Sequence, residues 1–302
     1  MRLGIDIGGT KTAALVLDDA GDIAVELSTP SGQGNTEVIA QAVAVADRAV
    51  AIVGGWERID GLGVCMPGLV DPHTGWAAHA VNLAVTSLDL AGDIERATGR
   101  RPVVDNDVKA AALGAHHAVR PRVTEQRSAY LNVGTGLAAA IVHDGRVVRG
   151  VGGAVGEIGH LPMGTGIPCS CGQDGCLETI ASGAGLRRMW SRPAAELFPA
   201  AAAGEARALE VVSTIAHGIV LAVQALVVTG SEVVVVGGGL TRDRVELEVA
   251  LAAAIGVRAQ ASPFLQRLDL GSRIRLLDGN LPVAALGAAL LSGSHEPVGA
   301  TT

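Results

Sequence analysis

Aromatic side chains are scarce in this chain of 302 residues, with two Phe, one Tyr and three Trp. That excludes aromatic cages and the stacking platforms that hold unpaired bases. Lysine is scarcer, with only Lys11 and Lys109, so there is no polybasic tail. The net charge of −7 argues against a nucleic-acid partner or an anionic membrane surface. Long hydrophobic runs are also missing. The most apolar helix-like run, Ile219–Val228, is interrupted by Gln224 and reads as too short to span a bilayer. The opening MRLGIDIGGT lacks the apolar core of a signal peptide, so a cytoplasmic location is expected. Cysteine pairs for a disulfide framework are absent too. Three of the four cysteines fall within Cys169–Cys176, the pattern of a metal cluster in a reducing compartment.

What is present is small and apolar. Hydrophobic residues make up 49% of the chain, which excludes a disordered protein, and the length suits two α/β domains. An internal repeat supports that division. Leu3–Val25 (LGIDIGGTKTAALVLDDAGDIAV) and Tyr130–Val148 (YLNVGTGLAAAIVHDGRVV) each read as an apolar strand, a Gly/Thr turn, a second apolar strand, and an Asp/Gly turn into a third. Gly9-Thr10 aligns with Gly134-Thr135 and Gly21 with Gly145, a spacing near half the chain that means duplication.

Around the repeats, helices are expected at Thr36–Val53, Leu88–Thr98, Val108–Val119, Leu177–Trp190, Gly204–Val228, Arg242–Gln260 and Val283–Leu291. Strands are expected at Gly61–Val64, Pro102–Val104 and Val233–Val236. Pro67–Gly75 reads as a turn-rich loop, Gly150–Gly175 as a Gly-rich excursion, Pro193–Gly204 as a linker, and the tail from Ser292 as frayed. Asp105, Asn106 and Asp107 read as caps for the helix that follows.

Four features carry chemistry. In Asp6-Ile7-Gly8-Gly9-Thr10-Lys11-Thr12 a carboxylate ends a strand, Gly9 lets backbone N–H groups approach an anion, and Thr10, Lys11 and Thr12 add donors. The turn returns into a strand, so it is not a GxxxxGK[ST] loop. The second turn, at Gly134-Thr135, would hold a triphosphate from the other side of a cleft. Asp105-Asn106-Asp107 ends a strand where ligand crevices form in α/β sheets. Asp107 is the candidate base, with Asn106 available to hold a hydroxyl. His160, Cys169, Cys171 and Cys176, spaced H-x8-C-x-C-x4-C, form a closed set for structural Zn2+. Glu157 and Glu178 flank that set and read as substrate contacts. Cys65 reads as a small buried hydrophobe, and Gly238, after a buried strand, suits an adenine lying against the backbone. His73, His79, His116, His117, His143, His217 and His295 carry no pattern.

DIGGTKT, the VGTGLAAA hairpin, GEIGH, CSCGQDGCLE and VVVVGGGL together resemble the ROK family of sugar kinases and repressors, from about Leu3 to Leu291. The resemblance implies the actin-like, ribonuclease-H-like α/β fold, two duplicated domains with a cleft between them. The expected domains are residues 1–107, completed by a C-terminal helix at 283–292, and residues 108–282 with the zinc loop. It also implies ATP-dependent phosphorylation of a hexose or N-acetylhexosamine at the 6-hydroxyl, with Mg2+. On that basis Asp107 is the catalytic base, and Asn106, Glu157, His160 and Glu178 hold the sugar, with Gly68 and Asn82 closing over it. Asp6 positions Mg2+, and Gly9, Thr10, Lys11, Thr12, Gly134, Thr135 and Gly238 serve the nucleotide. A homodimer or dimer of dimers is implied as well.

Glucose is the expected acceptor, with N-acetylmannosamine or N-acetylglucosamine as the alternative. The glucokinase pattern has an aromatic after Asn82-Leu83 and a Glu at Ala115, and both are missing here. A repressor reading is disfavoured by the charge and by the five residues ahead of Asp6. A non-enzymatic sensor would lack the base that Asp107 supplies. Polyphosphate as phosphoryl donor stays open.

Overall fold

The computed structural model describes residues 1–119, 126–241 and 244–293. The chain divides into two compact units, Met1–Val119 with Pro282–Thr302, and Arg120–Leu281. His295 and most of the tail expected to fray lie outside the described residues, as do Arg242 and Asp243 at the expected start of a helix.

In the first unit, β1 (Arg2–Ile7), β2 (Lys11–Leu17) and β3 (Ile23–Pro30) form an antiparallel meander. β4 (Gly61–Met66) and β8 (Val103–Asn106) extend it in parallel, giving the order β3-β2-β1-β4-β8. Side-chain alternation sets the two faces. Leu3, Ile5, Ile7, Val64 and Met66 belong to one apolar cluster with Val38, Ala42, Val45 and Ala49 of α1 (Gly34–Ile52). Gly4 and Gly63 lie against α10 (Val283–Leu291), where a Cβ at either would overlap the backbone of Ala285 or Ala288. α3 (Asp107–Val119) begins at the expected domain boundary yet packs on α10 and clusters with the first unit. A Cβ at Gly114 would overlap the Val283 carbonyl, and one at Gly287 the Ala110 carbonyl.

The stretch around Pro67–Gly75 is more ordered than its turn residues suggest. It contributes β5 (Leu69–Val70) to a small antiparallel sheet with β6 (Ala77–Ala80) and β7 (Val85–Leu88), followed by α2 (Leu90–Thr98). α2 is capped by Asp89, whose carboxylate accepts from Gly92 N–H at 3.1 Å.

The second unit repeats the plan. β9 (Arg127–Val133), β10 (Leu137–His143) and β11 (Arg146–Val148) form the meander. β12 (Val233–Gly237) and β13 (Ile274–Leu276) continue it in parallel, in the order β11-β10-β9-β12-β13. The duplicated strand order is that of the actin-like, ribonuclease-H-like fold.

Two expectations fail here. The helix predicted over Leu177–Trp190 is broken into a 3-10 turn at Leu177–Thr179 and α4 (Gly183–Met189). The first piece ends at Ile180, and Ser182 caps the second, its Oγ accepting from Gly185 N–H at 3.1 Å. The linker predicted over Pro193–Gly204 is instead a 3-10 turn and α5 (Leu197–Ala202), whose Leu197 and Phe198 are buried in the unit's core. α6 (Ala206–Val228) is longer than the apolar run that signals it. By length and composition alone it would cross a membrane, but over half of its most apolar window is buried in the protein. α7 (Arg244–Ala261), α8 (Pro263–Leu268) and α9 (Leu270–Arg273) complete the unit.

Candidate active site and metal centre

The β1–β2 turn is closed by Gly8 N–H donating to the Lys11 carbonyl at 3.0 Å. Ser31, just past β3, braces it: its Oγ donates to the Gly8 carbonyl at 2.6 Å, and its N–H donates to the Thr10 carbonyl at 3.1 Å. The Thr12 hydroxyl, fully buried, shares a 2.9 Å hydrogen bond with Ser31 Oγ. Thr12 therefore anchors the turn from within, while Thr10 and Lys11 are exposed at its tip. Ser31 carries no motif in the sequence, because only the pairing of β3 on β2 brings it to the turn. Asn82 stands over Gly9, 3.0 Å from where a Cβ would lie, and Gln33 Nε2 donates to the Asn82 carbonyl at 3.1 Å.

At the end of the same sheet, register lines up Asp6 of β1, Cys65 of β4 and Asp105 of β8. Cys65 is buried, as its apolar surroundings predict, but its Sγ also donates to Asp6 Oδ1 at 3.6 Å. The Asp6 carboxyl is pushed up to about 7, first by desolvation and then by the charge of Asp107. Burial raises Asp107 as well. A buried carboxyl whose ionisation a neighbouring carboxylate hinders is a setting that a divalent cation relieves, and Mg2+ is held by one or two carboxylates plus substrate phosphates. Asp6 and Asp107 fit that requirement.

The three predicted caps separate in role. Asp105 lies inside β8, fully buried, and its Oδ1 accepts from Asn106 N–H at 2.8 Å. Asn106 Oδ1 accepts from Val108 N–H at 3.0 Å and Lys109 N–H at 3.3 Å, and Asp107 Oδ1 also accepts from Val108 N–H. The Asn106 amide nitrogen donates to the Gly68 carbonyl at 3.1 Å, which uses one of its two hydrogens. Gly68 has φ +96, and a Cβ there would overlap the Ala78 carbonyl. Ala115, where the glucokinase pattern has a Glu, is fully buried. The position that lacks bulk after Asn82-Leu83 is Ala84, exposed and left-handed.

In the second unit, His160 and the three cysteines converge, with their ligand atoms all within 4.8 Å of one another. Cys169 Sγ lies 3.8 Å from His160 Nδ1, and Cys171 Sγ lies 3.6 Å from Cys176 Sγ. Zn–S bonds of about 2.3 Å and Zn–N bonds of about 2.0 Å require tetrahedral edges of about 3.5 to 3.8 Å, so the four residues fit zinc. The imidazole nitrogen turned toward Cys169 is Nδ1. Hydrogen bonding from Gln173 lowers the Cys171 thiol to about 6, whereas burial and the neighbouring sulfurs push Cys176 up to about 12.

Gly156–His160 lies along β10. Ala139 N–H donates to the Gly156 carbonyl at 2.8 Å, and a Cβ at Gly159 would overlap the Leu137 carbonyl. Glu157 opens the 3-10 turn that carries His160. Glu178 Oε2 accepts from Leu137 N–H at 2.9 Å, which places this carboxylate against the second glycine turn. Gly238, with φ +103, packs on the Val133 backbone and Asn132 Oδ1 beside the same turn. Glu178, Gly134, Thr135 and Gly238 are thus brought together.

A family model described as "ROK family" matches residues 2–266. The chain is 31% identical over 268 residues to a glucokinase from Halalkalibacterium halodurans, covering 80% of each chain. It is 30% identical over 307 residues to an N-acetylmannosamine kinase from Citrobacter koseri, covering 96% of this chain and 98% of the relative. The solved structure of a ROK hexokinase from Thermus thermophilus is similar at 32% identity with a TM-score of 0.79, covering 97% of each chain.

Proposed function

The chain belongs to the ROK family, and from that premise we propose that this sugar kinase transfers the γ-phosphoryl group of ATP to the 6-hydroxyl of a hexose, with glucose as the preferred acceptor. The observation that carries the reading is the Asp6–Asp107 pair, near the end of β1 and at the start of α3, beside a glycine turn braced by Ser31 and Thr12. Phosphoryl transfer asks a protein mainly for positioning and charge stabilisation.

Asp107 accepts the proton of the 6-hydroxyl as that oxygen bonds to the γ-phosphorus and ADP leaves. Its pKa, raised by burial, brings it nearer the value at which a general base works well at neutral pH. Asn106 is fixed by α3 and Gly68 and offers its second amide hydrogen to a sugar hydroxyl. Thr10 and Lys11 are assigned as phosphate donors on the first glycine turn, and Thr135 on the second. Mg2+, when bound near Asp6, would neutralise charge on the β- and γ-phosphates. The Cys169, Cys171, Cys176 and His160 set would hold a structural Zn2+ with no open position. It fixes the backbone that carries Glu157 and Glu178, which we assign with His160 to the sugar hydroxyls.

An acetamido sugar, N-acetylmannosamine first, is the second reading. It is favoured by the small Ala84 after Asn82-Leu83 and by the near full-length match to an N-acetylmannosamine kinase. A coupled assay with ATP across hexoses and N-acetylhexosamines tests both. Glucose should lead in kcat/KM, and a tenfold lead for an acetamido sugar overturns the glucokinase assignment. No phosphorylation of any sugar overturns the whole reading.

A further inference from the structure

Cys176 and Glu178 are two residues apart, yet the second glycine turn, Gly134–Leu137, is remote from both in sequence. In space the three are consecutive. Cys176 O accepts from Thr179 N–H at 2.9 Å and from Thr179 Oγ1 at 2.7 Å, locking the turn that carries Glu178. Glu178 Oε2 then takes Leu137 N–H at 2.9 Å. Beyond it, Gly183 and Ala184 at the start of α4 donate to the carbonyls of Gly134 and Thr135 at 2.8 and 2.9 Å. The segment 176–184 therefore grips the glycine turn at three points, and Thr135 is left exposed at its apex. The fit is close, because a Cβ on Gly136 would overlap Glu178 Oε2.

We propose that Glu178 is a positioning residue that ties the Cys/His cluster to the second glycine turn, so that metal binding at Cys176 sets the backbone that receives the ATP phosphates. This rests on the reading of that turn as a phosphate site. A carboxylate beside a phosphate site also carries a cost, since its charge repels the triphosphate. Its presence is explained by the hydrogen bond it makes and by its second oxygen, which remains for a sugar hydroxyl.

Comparing Glu178→Gln with Glu178→Ala separates these effects. Both variants remove the charge, but only Gln keeps an oxygen that accepts from Leu137 N–H. With metal content verified as full in each, Leu137 amide exchange should be slow in wild type and Glu178→Gln and fast in Glu178→Ala. Calorimetry with a non-hydrolysable ATP analogue, without sugar, should give about fivefold weaker binding for Glu178→Ala than for Glu178→Gln, the loss of one hydrogen bond. Cys171→Ser, freed of zinc, should also speed Leu137 exchange and weaken the analogue. Equal exchange or equal affinity in the two Glu178 variants overturns the proposal. Thr135→Glu at the exposed apex tells the two failures apart. If it abolishes analogue binding while the Glu178 pair stays equal, only the role of Glu178 is wrong; if it leaves binding intact, the phosphate reading of the turn is wrong.

Discussion

Replacing Asp6 with Asn tests the charge balance of the carboxylate pair without touching the cysteine cluster. Desolvation and then the charge of Asp107 raise the Asp6 carboxyl from 3.8 to about 7. A value above that of the unfolded chain means that the folded protein holds this proton more tightly. The contribution to stability is complete below the unfolded value and is lost as pH rises through the folded one. About three units correspond to about 4 kcal/mol at most, of which about 3 kcal/mol is lost between pH 5 and pH 8. Asp6 keeps some contact with solvent, so the true figure lies below that bound. Asn does not titrate. The stability of Asp6→Asn minus that of wild type should therefore climb from pH 5 to about pH 7 and then level off. Urea unfolding of the nucleotide-free, zinc-loaded protein, followed through Trp56 and Trp76 of the first unit, reads the difference. Asp107→Asn removes the second cause of the shift and should flatten the wild-type profile in part. A difference that stays constant within about 1 kcal/mol from pH 5 to pH 8 refutes the reasoning.

Asp107→Asn should lower turnover by ~10² or more while sugar affinity measured by calorimetry stays within a few-fold, the pattern of a removed base; near-normal turnover would end the assignment. Gly287→Ala drives a methyl into the Ala110 carbonyl where α10 crosses α3 and should destabilise the first unit by about 3 kcal/mol. Gly271→Ala has open space in α9 and should be neutral or slightly stabilising, so equal melting temperatures for these two variants would contradict the packing described. Phe198→Ala should cost about 3 to 5 kcal/mol in urea unfolding because Phe198 is buried under α6, whereas a flexible linker would tolerate the change.

The features readable in the sequence are those written in neighbouring residues. The paired meanders were legible because each Gly/Thr turn lies between its own apolar strands, and the cysteine cluster because its ligands fall within seventeen consecutive positions, His160 to Cys176. Local composition misleads where burial decides. Pro193–Gly204 is rich in Ala and starts on Pro, yet Leu197 and Phe198 have a core to enter and α5 forms. Asp105 stands beside two true caps, but strand pairing with Cys65 keeps it inside β8.

The contacts that the sequence does not announce share one cause. A contact made through register between strands leaves no trace in the spacing of either partner. Cys65 meets Asp6 only because β4 pairs with β1 at that step, and Ser31 meets Thr12 only because β3 pairs with β2. The same holds for Glu178. From sequence distance, metal loss would be expected to loosen the sugar contacts and spare the Gly134 turn. The hydrogen bond to Leu137, where β10 begins, is the contact on which the proposal of the opposite outcome rests. The turn shares three hydrogen bonds with the segment that follows Cys176, and none of them is visible in the spacing of the residues that make them.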